Sequence, residues 1–287
     1  MRFDGVSVSK GALRILTDIA FSVSRGTVHA LLGHNGAGKT TLIRALLGLV
    51  PLRSGSIHIA TGRPVQAVFS GERFPGDLSV RAIVDHQMTL HGGASHGAAI
   101  ERLGVGRFID KRAGQLSTGM AQRLGIALAL IAGGDVLVLD EPTAGLDPQG
   151  VGLLREVVTD LSSRGKAILM CSHDLAELEL VCEEVTCLAD GRLTISGAVR
   201  EIGKELPAVE HFLRTTDDGA AVKRLSGAVS GVFLAPRGVR VPSGMDLSGT
   251  SWLLGPEIRI LEATPARGLF HRIYERYGVA AGDRSAA

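Results

Sequence analysis

The sequence predicts an α/β fold: a doubly wound core over residues 1–203, with a helical subdomain at about 78–132, and a small α+β domain over 204–287. Three observations predict it. Residues 33–40 read Gly-His-Asn-Gly-Ala-Gly-Lys-Thr, the spacing of a phosphate-binding loop. Residues 135–139 form an apolar, β-branched run that ends in Asp140 and Glu141, as a strand buried on both faces reads. Strand-like and helix-like patterns alternate around both motifs, as a parallel sheet with crossover helices requires.

Taken in order, residues 27–32 read as a short strand and 41–47 as a helix, the context the phosphate loop needs. Within the loop, Gly33, Gly36 and Gly38 allow backbone conformations closed to other residues, so successive amides converge on phosphate oxygens. His34, Asn35, Ala37 and Thr41 complete that cradle. Lys39 supplies a point charge to the β- and γ-phosphates, and the Thr40 hydroxyl suits Mg²⁺. A strand at 65–70 and a helix at 80–90 follow. Ser117 reads as the N-cap of an apolar helix over 124–132, and with Gly119 beside it offers a second anion site at a helix N-terminus.

The strand at 135–139 delivers Asp140 to the carboxyl edge of the sheet, where it suits a magnesium-associated acid, and Glu141 one residue further out, where it suits polarising a water. Residues 148–164 read as a helix with Pro148 in its first turn and Gly165 past its end. The strand at 167–171 then delivers Ser172, His173 and Asp174, and a short helix to about Gly203 closes the core. Beyond it, residues 231–234, 238–241 and 257–261 read as strands. Residues 269–277 read as an amphipathic helix with Leu269, Ile273 and Tyr277 on one stripe, and 278–287 as a disordered tail.

These motifs, in this order, resemble an ABC-type ATPase cassette over about residues 1–203. The resemblance implies ATP and Mg²⁺ as cofactors and phosphate binding by Gly33 through Thr41, with Lys39 central. It makes residues 116–120 (Leu-Ser-Thr-Gly-Met) the signature segment, whose Ser117 and Gly119 touch the γ-phosphate held by the opposite protomer of a head-to-tail dimer. It makes Asp140 the metal-associated acid, Glu141 the catalytic carboxylate, His173 the switch histidine and Asp147 part of the loop through which two cassettes communicate. The form of residues 117–123 resembles the exporter branch. The resemblance further implies separately encoded integral membrane permease subunits, a homodimer or heterodimer, a place at the cytoplasmic face of the membrane, and an accessory role for residues 204–287.

Two positions depart from the family pattern. Ser70 stands where the family carries a glutamine that links the metal to the membrane-facing groove, with Gln66 and Glu72 as nearby substitutes. Lys10 stands where an aromatic ring normally meets adenine, and losing a stacking platform costs about 1–3 kcal/mol of base contact. The expectation is weaker discrimination of adenine.

Composition narrows the field further. At 287 residues and 45% hydrophobic, the chain buries a substantial core. A net charge of +2 and 4% aromatic content do not favour nucleic acid as a partner. A soluble ATPase of the same type acting on nucleic acid or the ribosome remains the rival reading, without the internal repeat or heptads such proteins show. The longest apolar run, 126–132, falls short of the roughly 18 residues a membrane span needs, and the start lacks a signal peptide's apolar stretch. Cys171, Cys182 and Cys187 are odd in number and read as buried thiols in a reducing compartment, and His86, His91 and His96 as a solvated loop.

Overall fold

The computed structural model describes residues 1–60, 62–71, 73–91, 97–206, 211–235, 238–243, 245–265 and 267–278, with the backbone alone at 98, 247–249 and 252. Glu72, His96 and residues 279–287 of the tail expected at 278–287 lie outside the described residues, whereas Gly278, expected to begin that tail, is buried in a turn. The chain forms two compact units, one of Met1–Ile202 with Ile273–Ala287, the other Gly203–Arg272. Residues 273–278, expected to belong with the segment from 204 on, thus fold with the first unit.

The strands of the first unit are β1 (Arg2–Lys10), β2 (Leu13–Ser22), β3 (Val28–Leu32), β4 (Ser54–His58), β5 (Gln66–Phe69), β6 (Val136–Asp140), β7 (Ala167–Cys171), β8 (Glu184–Ala189) and β9 (Arg192–Ala198). Six of them form a sheet in the order β5-β6-β7-β3-β8-β9, parallel except for β9. Every residue of β3 and of β7 is buried, which explains why Val-His-Ala-Leu-Leu and Ala-Ile-Leu-Met-Cys show no alternation: both faces meet other layers. A second, antiparallel sheet, β2-β1-β4, covers this core through Val6, Leu16 and Ile19, with the Phe3 and Phe21 rings stacked 4.4 Å apart.

The helices of this unit are α1 (Lys39–Leu46), α2 (Val80–His91), α3 (Gly97–Arg102), α4 (Thr118–Ala132), α5 (Pro148–Ser163), α6 (Leu175–Val181) and α7 (Val199–Lys204). Starts follow capping chemistry: Asp147 accepts from Gly150 N–H at 2.8 Å ahead of Pro148, and Asp174 accepts from Glu177 N–H at 3.2 Å. The start of α2 is pinned to residues 109–111, with Val80 N–H on Lys111 O and Arg81 N–H on Ile109 O. His86 and His91 lie exposed on α2 itself, not on a loop, and no group of three or more His, Cys, Asp or Glu side chains placed to hold a metal ion occurs among the described residues.

The second unit runs β10 (His211–Thr215), α8 (Asp218–Ser226), β11 (Phe233–Ala235), β12 (Gly238–Val241), α9 (Leu247–Leu254), β13 (Ile260–Pro265). Its antiparallel sheet has the order β11-β12-β10-β13, so the unit is a split βαβ (βαββαβ) module around Leu213, Val239, Val241 and Leu254. Sequence reading missed β10, α8 and α9, and placed the last strand at 257–261 where it begins only at Ile260. The reason is tertiary: Ile258 enters the module's core and Glu257 pairs with Arg224 at 3.0 Å, so the alternation there records packing of a loop. The helix expected at 269–277 is α10 (Leu269–Ile273) followed by a single π-turn, Tyr274–Gly278. No helix among the described residues is long and apolar enough to cross a membrane.

Candidate active site

The loops that follow β3, β6 and β7 carry residues 33–41, Asp140 with Glu141, and His173, and those strands are neighbours in the sheet, so these residues converge at one carboxyl edge, whereas Ser117 and Gly119 stand apart at the start of α4. Gly33, Gly36 and Gly38 all have positive φ, at 154°, 88° and 103°. At Gly38 the requirement is double, because a Cβ there would also come within 2.5 Å of Leu16 Cδ2 in the second sheet. Gly38 precedes α1 directly, which points the helix N-terminus at the loop's concave side. Lys39 Nζ donates to Gly33 O at 2.6 Å and to His34 O at 3.2 Å, folding the side chain back along the loop where phosphates would pass.

Thr40 Oγ1 donates to Asp140 Oδ2 at 3.5 Å, joining the first residues of α1 to the end of β6. Burial raises the Asp140 carboxyl above its ordinary pKa, opposed in turn by Lys39, Thr40, Arg44 and His173. A hydroxyl and a carboxylate side by side are hard oxygen donors, the chemistry Mg²⁺ prefers, so these residues fit that ion. Glu141 takes a left-handed φ of 53°, a conformation that costs a non-glycine residue about 1–2 kcal/mol. Its N–H extends the ladder to Cys171 O at 2.9 Å, while Oε2 accepts from His173 N–H at 3.1 Å. Oε1 is buried, lies 3.4 Å from His173 Nε2, and has no hydrogen-bond partner among the described residues. A carboxylate oxygen with an uncommitted lone pair is what a general base needs.

Ser117 caps α4 as expected, accepting from Met120 N–H at 3.3 Å. Gly119 packs backbone to backbone on the loop after Glu141: a Cβ on it would come within 2.5 Å of Gly145 O. Arg123 Nη2 meets Asp147 Oδ1 at 2.6 Å beside that contact. The Gly150 amide, followed by Arg123, holds the Asp147 carboxyl below its usual range. The segment 117–123 and the loop 144–147 are therefore fastened together twice.

At the departures, Phe69 pairs with Asp140, so Ser70 stands exposed at the same sheet edge. Gln66 does not substitute: it sits at the opposite end of β5 with its side chain against Gly134. Lys10 is exposed at the β1–β2 hairpin, opposite Leu13. Sequence reasoning missed that Leu16 backs Gly38 and that the chain near residue 278 reaches His34, contacts without a motif.

Strand, phosphate loop, acidic pair and histidine on one sheet edge define a phosphate-loop ATPase, and comparison with known proteins narrows that class. Residues 16–144 match the family described as ABC transporter. The lantibiotic transport ATP-binding protein SrtF of Streptococcus pyogenes is 35% identical over 205 residues, 68% of this chain and 89% of that protein. The Nod factor export ATP-binding protein I of Burkholderia lata is 34% identical over 68% of this chain and 70% of its own length. Among solved structures, an ATP-binding subunit of an ABC transporter superposes with a TM-score of 0.65 at 26% identity, covering 71% of this chain and 92% of that one. CbiO1 of Clostridium perfringens, part of the ABC transporter complex CbiONQ, gives 0.59 at 26% identity over 71% and 90%. The chain belongs to the family of ABC transporter ATP-binding proteins. It is an ATPase whose hydrolysis of ATP energises transport.

Proposed function

We propose that this chain energises an exporter, working at the cytoplasmic face of the membrane as a head-to-tail dimer beneath separately encoded permease subunits. The single observation that carries this reading is one phosphate loop accompanied by two anion-accepting helix starts, at Lys39 and at the Ser117-capped α4. One nucleotide needs only the first. Ser117 and Gly119 then serve the γ-phosphate held by the partner protomer, and the double fastening of 117–123 to 144–147 relays that contact to Glu141 of the same chain. The export direction draws support from the form of residues 117–123 and from relatives named for lantibiotic transport and Nod factor export. Residues 203–272 serve as an accessory domain.

In this mechanism the amides of 33–41 and Lys39 bind the phosphates, and Thr40 and Asp140 hold Mg²⁺. The ion, when bound, neutralises charge that develops on the phosphate oxygens. Glu141 orients the attacking water and accepts its proton at Oε1, while His173 steadies the γ-phosphate and holds Oε2 through its amide. Ser70, two carbons shorter than glutamine and without a separate amide donor, takes the loop position next to Asp140. The test is Glu141→Gln. The variant is expected to bind Mg-ATP as tightly as wild type, to accumulate as a dimer by sedimentation, and to lose turnover by at least about a hundredfold. Sustained hydrolysis would remove Glu141 from the mechanism, and an ATP-loaded monomer would remove the sandwich.

A further inference from the structure

The second residue of the phosphate loop is held by chain far away in sequence. His34 N–H donates to Gly278 O at 2.9 Å, and Thr194 Oγ1, on β9, donates to Tyr277 O at 2.6 Å, the shorter of its two contacts, the other being Cys187 O on β8 at 3.1 Å. Both acceptors lie in the π-turn Tyr274–Gly278, a rare form of turn that recurs at functional sites. Ile273, which leads into it, is fully buried, and Gly278 is buried at its end. Arg276 lies over the Tyr277 ring, 5.6 Å from its centroid, and donates from Nε to the Tyr277 hydroxyl at 3.2 Å.

What this turn grips is one rigid plane. The peptide unit joining Gly33 to His34 presents its N–H to Gly278 and its C=O to Lys39 Nζ, so the two bonds orient the same group from opposite sides and polarise each other. The flanks are fixed as well. A Cβ on Gly33 would come within 2.4 Å of Leu188 O, so the backbone already abuts β8. The His34 ring spans its surroundings: Nδ1 donates to Asn35 O at 2.8 Å, which leaves Nε2 to accept from Asp190 N–H at 3.4 Å.

We propose that residues 274–278 are a positioning strap for the phosphate loop. By fixing the Gly33–His34 peptide, the strap sets the carbonyl that holds Lys39 and preorganises the cradle for the phosphates of ATP. Thr194 and Gly278 are its positioning residues. The inference rests on the reading of 33–41 as the ATP phosphate site and adds a part of the chain to which no motif points.

The full-length chain tests it, as wild type, Thr194→Val and Thr194→Ser. Two quantities are measured: the Kd for Mg-ATP, and hydrogen exchange at the His34 amide against the buried β3 amides of Ala30 and Leu31. Thr194→Val is expected to speed exchange at His34 but not in β3 and to raise the Kd about three- to tenfold, the effect of one lost hydrogen bond. Thr194→Ser, which keeps the hydroxyl, is expected to match wild type in both. Wild-type Kd and exchange in Thr194→Val, or faster exchange with an unchanged Kd, would overturn the strap. Should Thr194→Val not fold, Gly278→Ala decides, since its Cβ would come within 2.6 Å of the Tyr274 ring and displace the turn. A folded Gly278→Ala chain that binds Mg-ATP like wild type overturns the proposal, and one with weakened binding and faster His34 exchange supports it. Wild-type chain that holds no Mg-ATP would remove the phosphate-site reading itself, whereas normal wild-type binding with silent variants removes the strap alone.

Discussion

Asp140 shows how a residue's position at the end of a strand is written into its energetics. Burial at the end of β6 disfavours its charged form, and Lys39, Thr40 and Arg44 restore only part of that loss. A carboxyl whose pKa is raised in the folded state penalises folding above that pKa, and the penalty disappears as pH falls through it. Asp140→Asn, which removes the buried charge, is therefore expected to raise the thermal midpoint of the nucleotide-free chain at pH 7, with the gain shrinking toward acid pH. Circular dichroism melts between pH 4.5 and 7.5 check this, and a midpoint that falls at pH 7 would mean Lys39 outweighs burial. The placement of Lys39, Asp140, Glu141 and His173 at one sheet edge, and of Ser117 at a helix start, was legible in the sequence because each lies beside a strand end or helix start whose local pattern is strong. The left-handed backbone of Glu141 was not, since φ at a non-glycine position is set by the ladder bond to Cys171.

Elements are held in register by polar groups as well as by apolar faces. His29, 1% exposed on β3, reaches Glu184 Oε2 at 3.1 Å and Thr186 Oγ1 at 2.7 Å on β8, and Thr186 reaches Ser196 Oγ on β9 at 2.7 Å. A carboxylate only accepts, so in the neutral ring Nδ1 carries the proton and Nε2 accepts from Thr186. The chain of bonds thus runs across three adjacent strands. The hydrogen bond from His29 holds the Glu184 carboxyl below its usual range, so this group stabilises the fold above the unfolded carboxylate pKa and loses that contribution as pH falls through its folded value. His29→Leu is expected to cost about 1–3 kcal/mol at neutral pH, read from urea midpoints, with a smaller cost in acid. An unchanged midpoint would show the chain of bonds to be dispensable. The parallel strands were legible as continuous apolar runs, but the split βαβ module was legible only in pieces. Its strands span three to six residues, and β11 is an edge strand with Phe233 and Leu234 exposed, so the period of two has little room to register.

At the scale of the whole molecule, the three cysteines report on one unit only. Cys171, Cys182 and Cys187 all lie in the unit that holds the nucleotide site, and the unit Gly203–Arg272 contains none. All three are buried, and burial pushes every thiol up, Cys187 to about 12, so neither access nor thiolate is available in the folded state. Labelling by a thiol reagent must then wait for the first unit to open, and its rate measures the open population. Mg-ATP binds only the closed form, and at a free concentration of 100 Kd it lowers that population about a hundredfold. The native chain is therefore expected to label slowly, saturating Mg-ATP to slow labelling by up to about that factor, and urea to expose all three thiols at once. Cys171 makes the coupling direct, because its carbonyl holds the Glu141 amide and its side chain feels Asp140 and Lys39, so exposing it requires the end of β7 to leave the nucleotide site. If Mg-ATP left the labelling rate unchanged, the thiols would be opening without disturbing the phosphate loop, and the first unit would not be a single cooperative body around its nucleotide.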